Sequence, residues 1–303
     1  MIQYLNLFLN NLLPIFLAAV AGYLLAKWLP IDPRTLSGIA LYIFTPCLVF
    51  NQLTHTELNN HDIFKIILFT ALCAGIVGLL TWIIGRSLHL ERSVLAAVLI
   101  TSIFANAGNF GLPVTSFAFG ETALAYATLF FVTNAVLTNT AGVVIISMGS
   151  TNFKKALSNL FKIPVLYALI LAILVMSMGW RVPLPVDRTV KILGDASIPT
   201  LMVLIGVQFH SVKLKGKIIP LTLASVMRLL VSPTLALGLS AIFGLYGPAR
   251  QAVVLEAAMP AAVLNTVLAT QFDTEPTFVT EVVAVTTILS AFTLTPLLAY
   301  LGG

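Results

Sequence analysis

The chain has 303 residues, 59% of them hydrophobic and only 9% charged, with a formal net charge of +5 and a mean hydropathy of +1.02. That composition excludes an ordinary soluble domain and predicts a polytopic membrane protein. The basic excess lies in short loops between apolar runs, which fits positive-inside topology and not a nucleic-acid surface.

In chain order the hydropathy predicts ten spans, at 4–28, 34–53, 62–85, 91–119 (broken), 121–148, 160–179, 187–209, 217–245, 249–272 (broken) and 277–301. The first lacks a basic leader and a small-residue cleavage site, so it is expected to be a retained helix. Lys27, Arg34, Arg86, Arg92, Lys154, Lys155, Lys162, Lys213, Lys215 and Lys217 fall on one side of the bilayer; Lys65, Arg181, Arg188, Lys191 and Arg250 fall on the other. The richer side is assigned to the cytoplasm of an inner (plasma) membrane, with both termini outside. Cys47 and Cys73 sit in apolar runs with no disulfide or metal spacing, and His55, His61, His89 and His210 read as solvated span ends.

Two halves emerge. Leu13-Pro14, Asp32, Thr45-Pro46 (read as interrupting the second span) and Pro113 recur in order as Ile163-Pro164, Asp187, Ile198-Pro199 and Pro260, at separations of 147 to 155 residues. An odd number of spans per copy inverts the second. The predicted fold is all-α: ten transmembrane helices as two inverted five-helix repeats, 1–148 and 160–303, joined by a cytoplasmic linker at 149–159, with broken helices 4 and 9 crossing.

The breaks carry the chemistry. Asn106, Gly108, Asn109, Gly111 and Pro113 interrupt the fourth span; a glycine in a helix interior costs about 1 kcal/mol and a proline roughly 3. The expected half-helices run from Glu91 to Ala105 and from Pro113 onward. Glu256 to Asn265, with Met259 and Pro260, forms the second break. Non-helical backbone at membrane depth persists where it is buried in protein or lines a wet cavity, so paired breaks mark a binding site. Half-helix N-termini near Pro113 and near Val263 to Asn265 would suit an anion, and C-terminal carbonyls near Asn106 and Met259 a cation. Asn106, Asn109, Gly111, Pro113 and Asn265 are therefore candidate substrate-binding residues. Glu256, Met259, Asn106, Thr133 and Asn134 are candidates for cation binding or protonation, because a carboxyl in the last turn before a break is expected to be protonated or to hold a cation. Arg228, about 15 Å into its span at 1.5 Å per residue, needs a partner; Asp195, Glu256 and Glu281 are the acidic candidates, and binding of a substrate carboxylate and a structural pair stay equally open. Asp195 itself reads as a gate or a cap. Thr133, Asn134, Thr138 and Asn139 form a polar stripe on one helix face.

Leu13-Pro14, Tyr42 to Pro46, Asn106 through Gly111-Leu112-Pro113, Met227 to Pro233, Glu256 to Pro260 and Thr295-Pro296 together resemble the auxin efflux carrier family, of the bile acid and auxin carrier superfamily, over the whole chain. The resemblance implies a scaffold of spans 1, 2, 6 and 7 beside a transport domain of spans 3–5 and 8–10, moving elevator-like, with homodimers through the scaffold. It implies an organic anion contacted by Asn106, and the run Glu256 to Met259 resembles a sodium-binding run in related symporters. Departures are the lack of a long hydrophilic loop between the halves, which argues against auxin itself, and Asn265 where a second crossover proline is expected.

The expected function is a secondary carrier of small organic anions, carboxylates foremost, with a sodium ion, a proton or no ion as partner and no other cofactor. The alternatives are an uncoupled or proton-coupled auxin-type carrier, or a channel or sensor. No GxSxG, HExxH or intramembrane histidine cluster supports an enzyme.

Overall fold

The structure is a computed structural model that describes residues 2–56, 58, 60–147, 163–209 and 217–302. The predicted linker 149–159 and His210 lie outside the described residues. The described chain is helical, with a single isolated pair of bridged residues, Ala105 and Ala261, in place of any sheet. Its segments are α1 (Gln3–Trp28), α2 (Pro33–His55), α3 (His61–Ser87), α4 (Arg92–Ile103), α5 (Ala107–Ile146), α6 (Pro164–Met178), α7 (Leu184–Gln208), α8 (Ile218–Ile242), α9 (Gly247–Ala257), α10 (Val263–Gln271) and α11 (Pro276–Leu301). Among the described residues α1, α2, α3, α5, α7, α8 and α11 are long and apolar enough to cross a membrane, while α4 and α6 are shorter apolar helices. The chain is therefore a multi-pass membrane protein. Its α5 is 40 residues long, and Gly120, at φ 75° and ψ −167°, bends it near the boundary expected between two spans.

Prolines shape the spans without ending them. Pro14, Pro46, Pro113 and Pro233 each follow by two residues a widened turn, at Phe8–Leu12, Ala40–Phe44, Ala107–Gly111 and Met227–Val231. The extra residue in such a turn relieves the clash of the proline ring with the preceding turn and absorbs its missing N–H. Hence Thr45-Pro46 does not interrupt the second span as expected; α2 runs through it.

The first break differs from expectation for the same reason. Only residues 104–106 leave helical geometry, and the chain re-enters helix at Ala107 rather than at Pro113. The second break spans 258–262. The two extended segments lie antiparallel: the Asn106 N–H donates to the Pro260 carbonyl at 2.8 Å, and the Ala262 N–H to the Phe104 carbonyl at 3.0 Å. Each break thus supplies the backbone partners the other lost by leaving the helix.

The helices around them are tightly joined. α1 packs on α7 so closely that a Cβ on Gly206 would overlap the Ala19 carbonyl, and one on Gly22 the Val203 carbonyl. Asp32 caps α2, accepting from the Arg34 N–H at 3.1 Å and the Thr35 N–H at 3.2 Å; the Thr35 hydroxyl, with those amides, holds its carboxyl below the usual carboxylate range. His55 is not merely solvated: it lies 3.2 Å from Asp187 and links α2 to α7.

Candidate functional site

A cavity of about 120 Å³ opens where the two breaks meet. One wall comes from the breaks, with Ala105, Asn106, Gly108 and Asn109 from the first and Ala262, Val263 and Leu264 from the second. The opposite wall comes from α2 and α7 through Ser37, Leu41, Leu204 and Gln208, and α5 contributes Phe131, Asn134 and Thr138. Among the described residues no charged side chain lines it.

Its polarity comes from neutral side chains and from backbone. The first amides of a helix have no intrahelical acceptor, and each N-terminus is equivalent to about half a positive charge. Here α5 begins at Ala107 and α10 at Val263, so both starting ends border the cavity. Asn106 stands at the first of them, only 4% exposed, with no hydrogen-bond partner on its Nδ2. A buried amide donor without an acceptor costs about 1–3 kcal/mol; Asn106 lines the cavity, and a small turn of its side chain would offer that donor to an acceptor there.

The other expected residues divide. Asn109 lines the cavity beside Asn106, as do Asn134 and Thr138; Asn134 also braces the break, its Nδ2 donating to the Ala105 carbonyl at 3.1 Å. Asn265 does not line it. Its Nδ2 donates to the Ile100 carbonyl at 3.2 Å and the Phe104 carbonyl at 3.3 Å, tying α10 to the end of α4. Thr133 and Asn139 hydrogen-bond back to their own helix, at the Leu129 and Ala135 carbonyls. Pro113 and Met259 are buried.

Glu256 is fully buried at the end of α9. Its Oε1 accepts from the Thr115 hydroxyl at 3.2 Å, and its Oε2 has no partner. It lies directly on Gly111, where any Cβ would overlap the carboxyl. Gly111 is thus present for close approach, its backbone being ordinary helix. Among the described residues no ion pair reaches Glu256.

Arg228 corrects an expectation. Its partners are not Asp195, Glu256 or Glu281 but the ends of helices. Nη1 donates to the Ser102 carbonyl at 3.0 Å and the Ile103 carbonyl at 2.8 Å, and Nη2 to the Ser232 hydroxyl at 2.6 Å and to the Ala257 carbonyl. Asp195 has 61% of its side chain exposed and pairs with Lys191 at 3.6 Å. Residues the sequence did not single out are Thr115, Ser232, Ser37, Gln208 and Thr286, whose hydroxyl accepts from the Ala261 N–H at 3.1 Å. Thr115 stands two residues beyond Pro113 and Ser232 four beyond Arg228, spacings that hint at a shared site; Ser37 and Gln208 carry no local signal.

Comparison with known proteins gives the chain's family. Residues 7–298 match the family described as membrane transport protein. The chain is 26% identical over 264 residues to a protein of Methanocaldococcus jannaschii named as an uncharacterized transporter, covering 85% of this chain and 86% of that one. It is 25% identical over 291 residues to another so named from Methanothermobacter thermautotrophicus, covering 94% and 95%. It is 28% identical over 114 residues to auxin efflux carrier component 6 of Arabidopsis thaliana, covering 35% of this chain and 20% of that protein. These relatives are named for transport and not for catalysis. The chain belongs to the membrane transport protein family, which joins it to the auxin efflux carriers it resembles.

Proposed function

We propose that the chain is a secondary carrier of small organic anions, which bind in the cavity between the two breaks. The observation that carries this reading is the partnerless Asn106 amide at the meeting of two helix N-termini, in a cavity with no charged side chain among the described residues. A volume of about 120 Å³ is somewhat below the roughly 150 Å³ that takes benzene, which suits a carboxylate of three or four carbons. Two N-terminal ends together are equivalent to about one positive charge, the complement of a single carboxylate.

The architecture in this reading is ten spans in two inverted five-helix repeats with crossed broken helices. The bend at Gly120 supports a fifth span beginning there. The antiparallel pairing of Ala105 with Ala261 supports inversion, since an antiparallel pair has a local two-fold axis. α1, α2, α6 and α7 form the scaffold and dimer side; α3 to α5 and α8 to α11 form the moving domain, and the cavity lies between the two. Both termini face outward from the inner membrane. Glu256 carries the coupling function, since a buried carboxyl with one free oxygen and no ion pair needs a proton or a cation to be neutral; Met259, Gly111 and Pro113 hold it and the first break in place.

The test is counterflow in proteoliposomes with labelled lactate, pyruvate, malonate, malate and indole-3-acetate. Saturable counterflow of at least one short carboxylate, lost in Asn106→Ala but with folded protein retained, is expected. Non-saturable flux would point to a channel, and counterflow confined to indole-3-acetate to an auxin-type carrier, the reading favoured by the third relative's name.

A further inference from the structure

We propose that Arg228 is a resident cation, a side chain that takes the position a bound metal ion would take between the C-terminal ends of the two half-helices, so that the breaks are held together without sodium. Only the transport consequence of this role rests on the carrier reading above. Arg228 is 2% exposed and forms no ion pair among the described residues. Its fork reaches the last carbonyls of α4, at Ser102 and Ile103, and of α9, at Ala257. Ser232 closes the ring, accepting from Nη2 at 2.6 Å and donating to the Ala257 carbonyl at 2.8 Å.

Those oxygens are of the hard, carbonyl and hydroxyl type that an alkali cation takes, and they come from three separate segments. Each helix C-terminus is equivalent to about half a negative charge. Two of them offset one guanidinium, which explains how a buried Arg228 is neutralised without a carboxylate. The planar fork suits the task where a lysine would not, because one side chain must serve acceptors on two helices at once. The widened turn Met227–Val231 presents Arg228 from α8, and Pro233 behind it keeps that turn open. Being tethered, this cation cannot leave with the substrate. It makes α8 a permanent clamp on α4 and α9, and leaves coupling, where there is any, to a proton on Glu256.

The test uses the full-length protein in nanodiscs and reads thermal unfolding in choline chloride and in sodium chloride at equal ionic strength, with and without millimolar guanidinium. The wild-type Tm is expected to be the same in both salts. Arg228→Ala is expected to unfold several degrees lower and to regain a large part of the loss with guanidinium, which a merely structural truncation would not do. Arg228→Lys should fall between, without guanidinium response. A saturable, sodium-specific rise in wild-type Tm overturns the proposal, as does an Arg228→Ala variant that guanidinium raises no more than choline does. Should Arg228→Ala not fold, the wild-type sodium titration and Arg228→Lys still decide. Counterflow absent for every anion in wild-type vesicles would instead remove the carrier reading, and the Tm measurements stand apart from it.

Discussion

Gly111 and Glu256 give the most direct test of the site's geometry. A methyl group at Gly111 would overlap the carboxyl at the end of the Glu256 side chain; that side chain is fully buried and Gly111 sits inside the run of α5, so the carboxyl must turn within packed surroundings. Overpacking of this kind costs roughly 1–3 kcal/mol. Alanine in place of glycine in helix returns about 1 kcal/mol, so Gly111→Ala is expected to lie between neutral and destabilising by about 2 kcal/mol. In a Glu256→Ala background the overlap is gone, and the same substitution should become neutral or stabilising. The coupling between the two is then the overpacking cost itself, about 1–3 kcal/mol, within the range found for residues in contact. The assay is a double-mutant cycle on thermal unfolding in detergent for wild type, both single variants and the double. Additive effects would refute the placement of Glu256 against the first break, and with it the role of that carboxyl at the site.

Asn106→Asp places a negative charge where the cavity meets two helix N-termini, and is expected to raise the half-saturation concentration for anion counterflow at least about tenfold, or about 1.4 kcal/mol; unchanged uptake would remove Asn106 from the site. Pro113→Ala restores an N–H two residues after the widened turn Ala107–Gly111, letting it tighten toward ordinary helix and rotate Asn106 and Asn109. The variant should be at least as stable as wild type yet transport poorly, and full transport would show that the turn is not needed. Gly206→Ala drives a Cβ into the Ala19 carbonyl, a backbone atom that cannot rotate away, and should lower Tm by more than Gly111→Ala does.

Much of this molecule is legible in its sequence because membrane spans announce themselves by length and because Gly and Pro in an apolar run are hard to place in unbroken helix. The misreadings share a cause. Pro113 was expected to open a half-helix, since a proline is tolerated in a first turn; the widened turn before it offers a second solution, which no single residue type signals. Arg228 was matched against acidic side chains because those are visible in a sequence, whereas its partners are carbonyls, which every residue has. Asn265 was expected at the cavity on the strength of its position just past the second break. Two residues into α10, a helix turns through more than half a revolution, enough to aim that amide at α4 instead. Ser37 and Gln208 reach the cavity only through packing of α2 and α7 against the breaks, a relation between distant segments that local pattern cannot carry.

The charge arrangement at the breaks makes one more prediction, about selectivity. The two C-terminal ends are already neutralised by Arg228, so that side offers nothing to an anion. On the other side the N-terminal ends of α5 and α10 are equivalent to about one positive charge, and the cavity adds only amides and hydroxyls from Asn106, Asn109, Asn134, Thr138, Ser37 and Gln208. One carboxylate is matched. A second would enter a site with no cation left for it among the described residues, at a cost of several kcal/mol even when hydrogen-bonded. Lactate or pyruvate is therefore expected to out-compete malonate at pH 7 by about 100-fold or more, the equivalent of roughly 2.7 kcal/mol, and lowering the pH should favour malonate as its second carboxyl takes up a proton. Competition of unlabelled malonate against labelled lactate in counterflow reads this directly. Equal competition at pH 7 would mean that a cationic group outside the described lining faces the substrate, and the single-charge account of the cavity would fall.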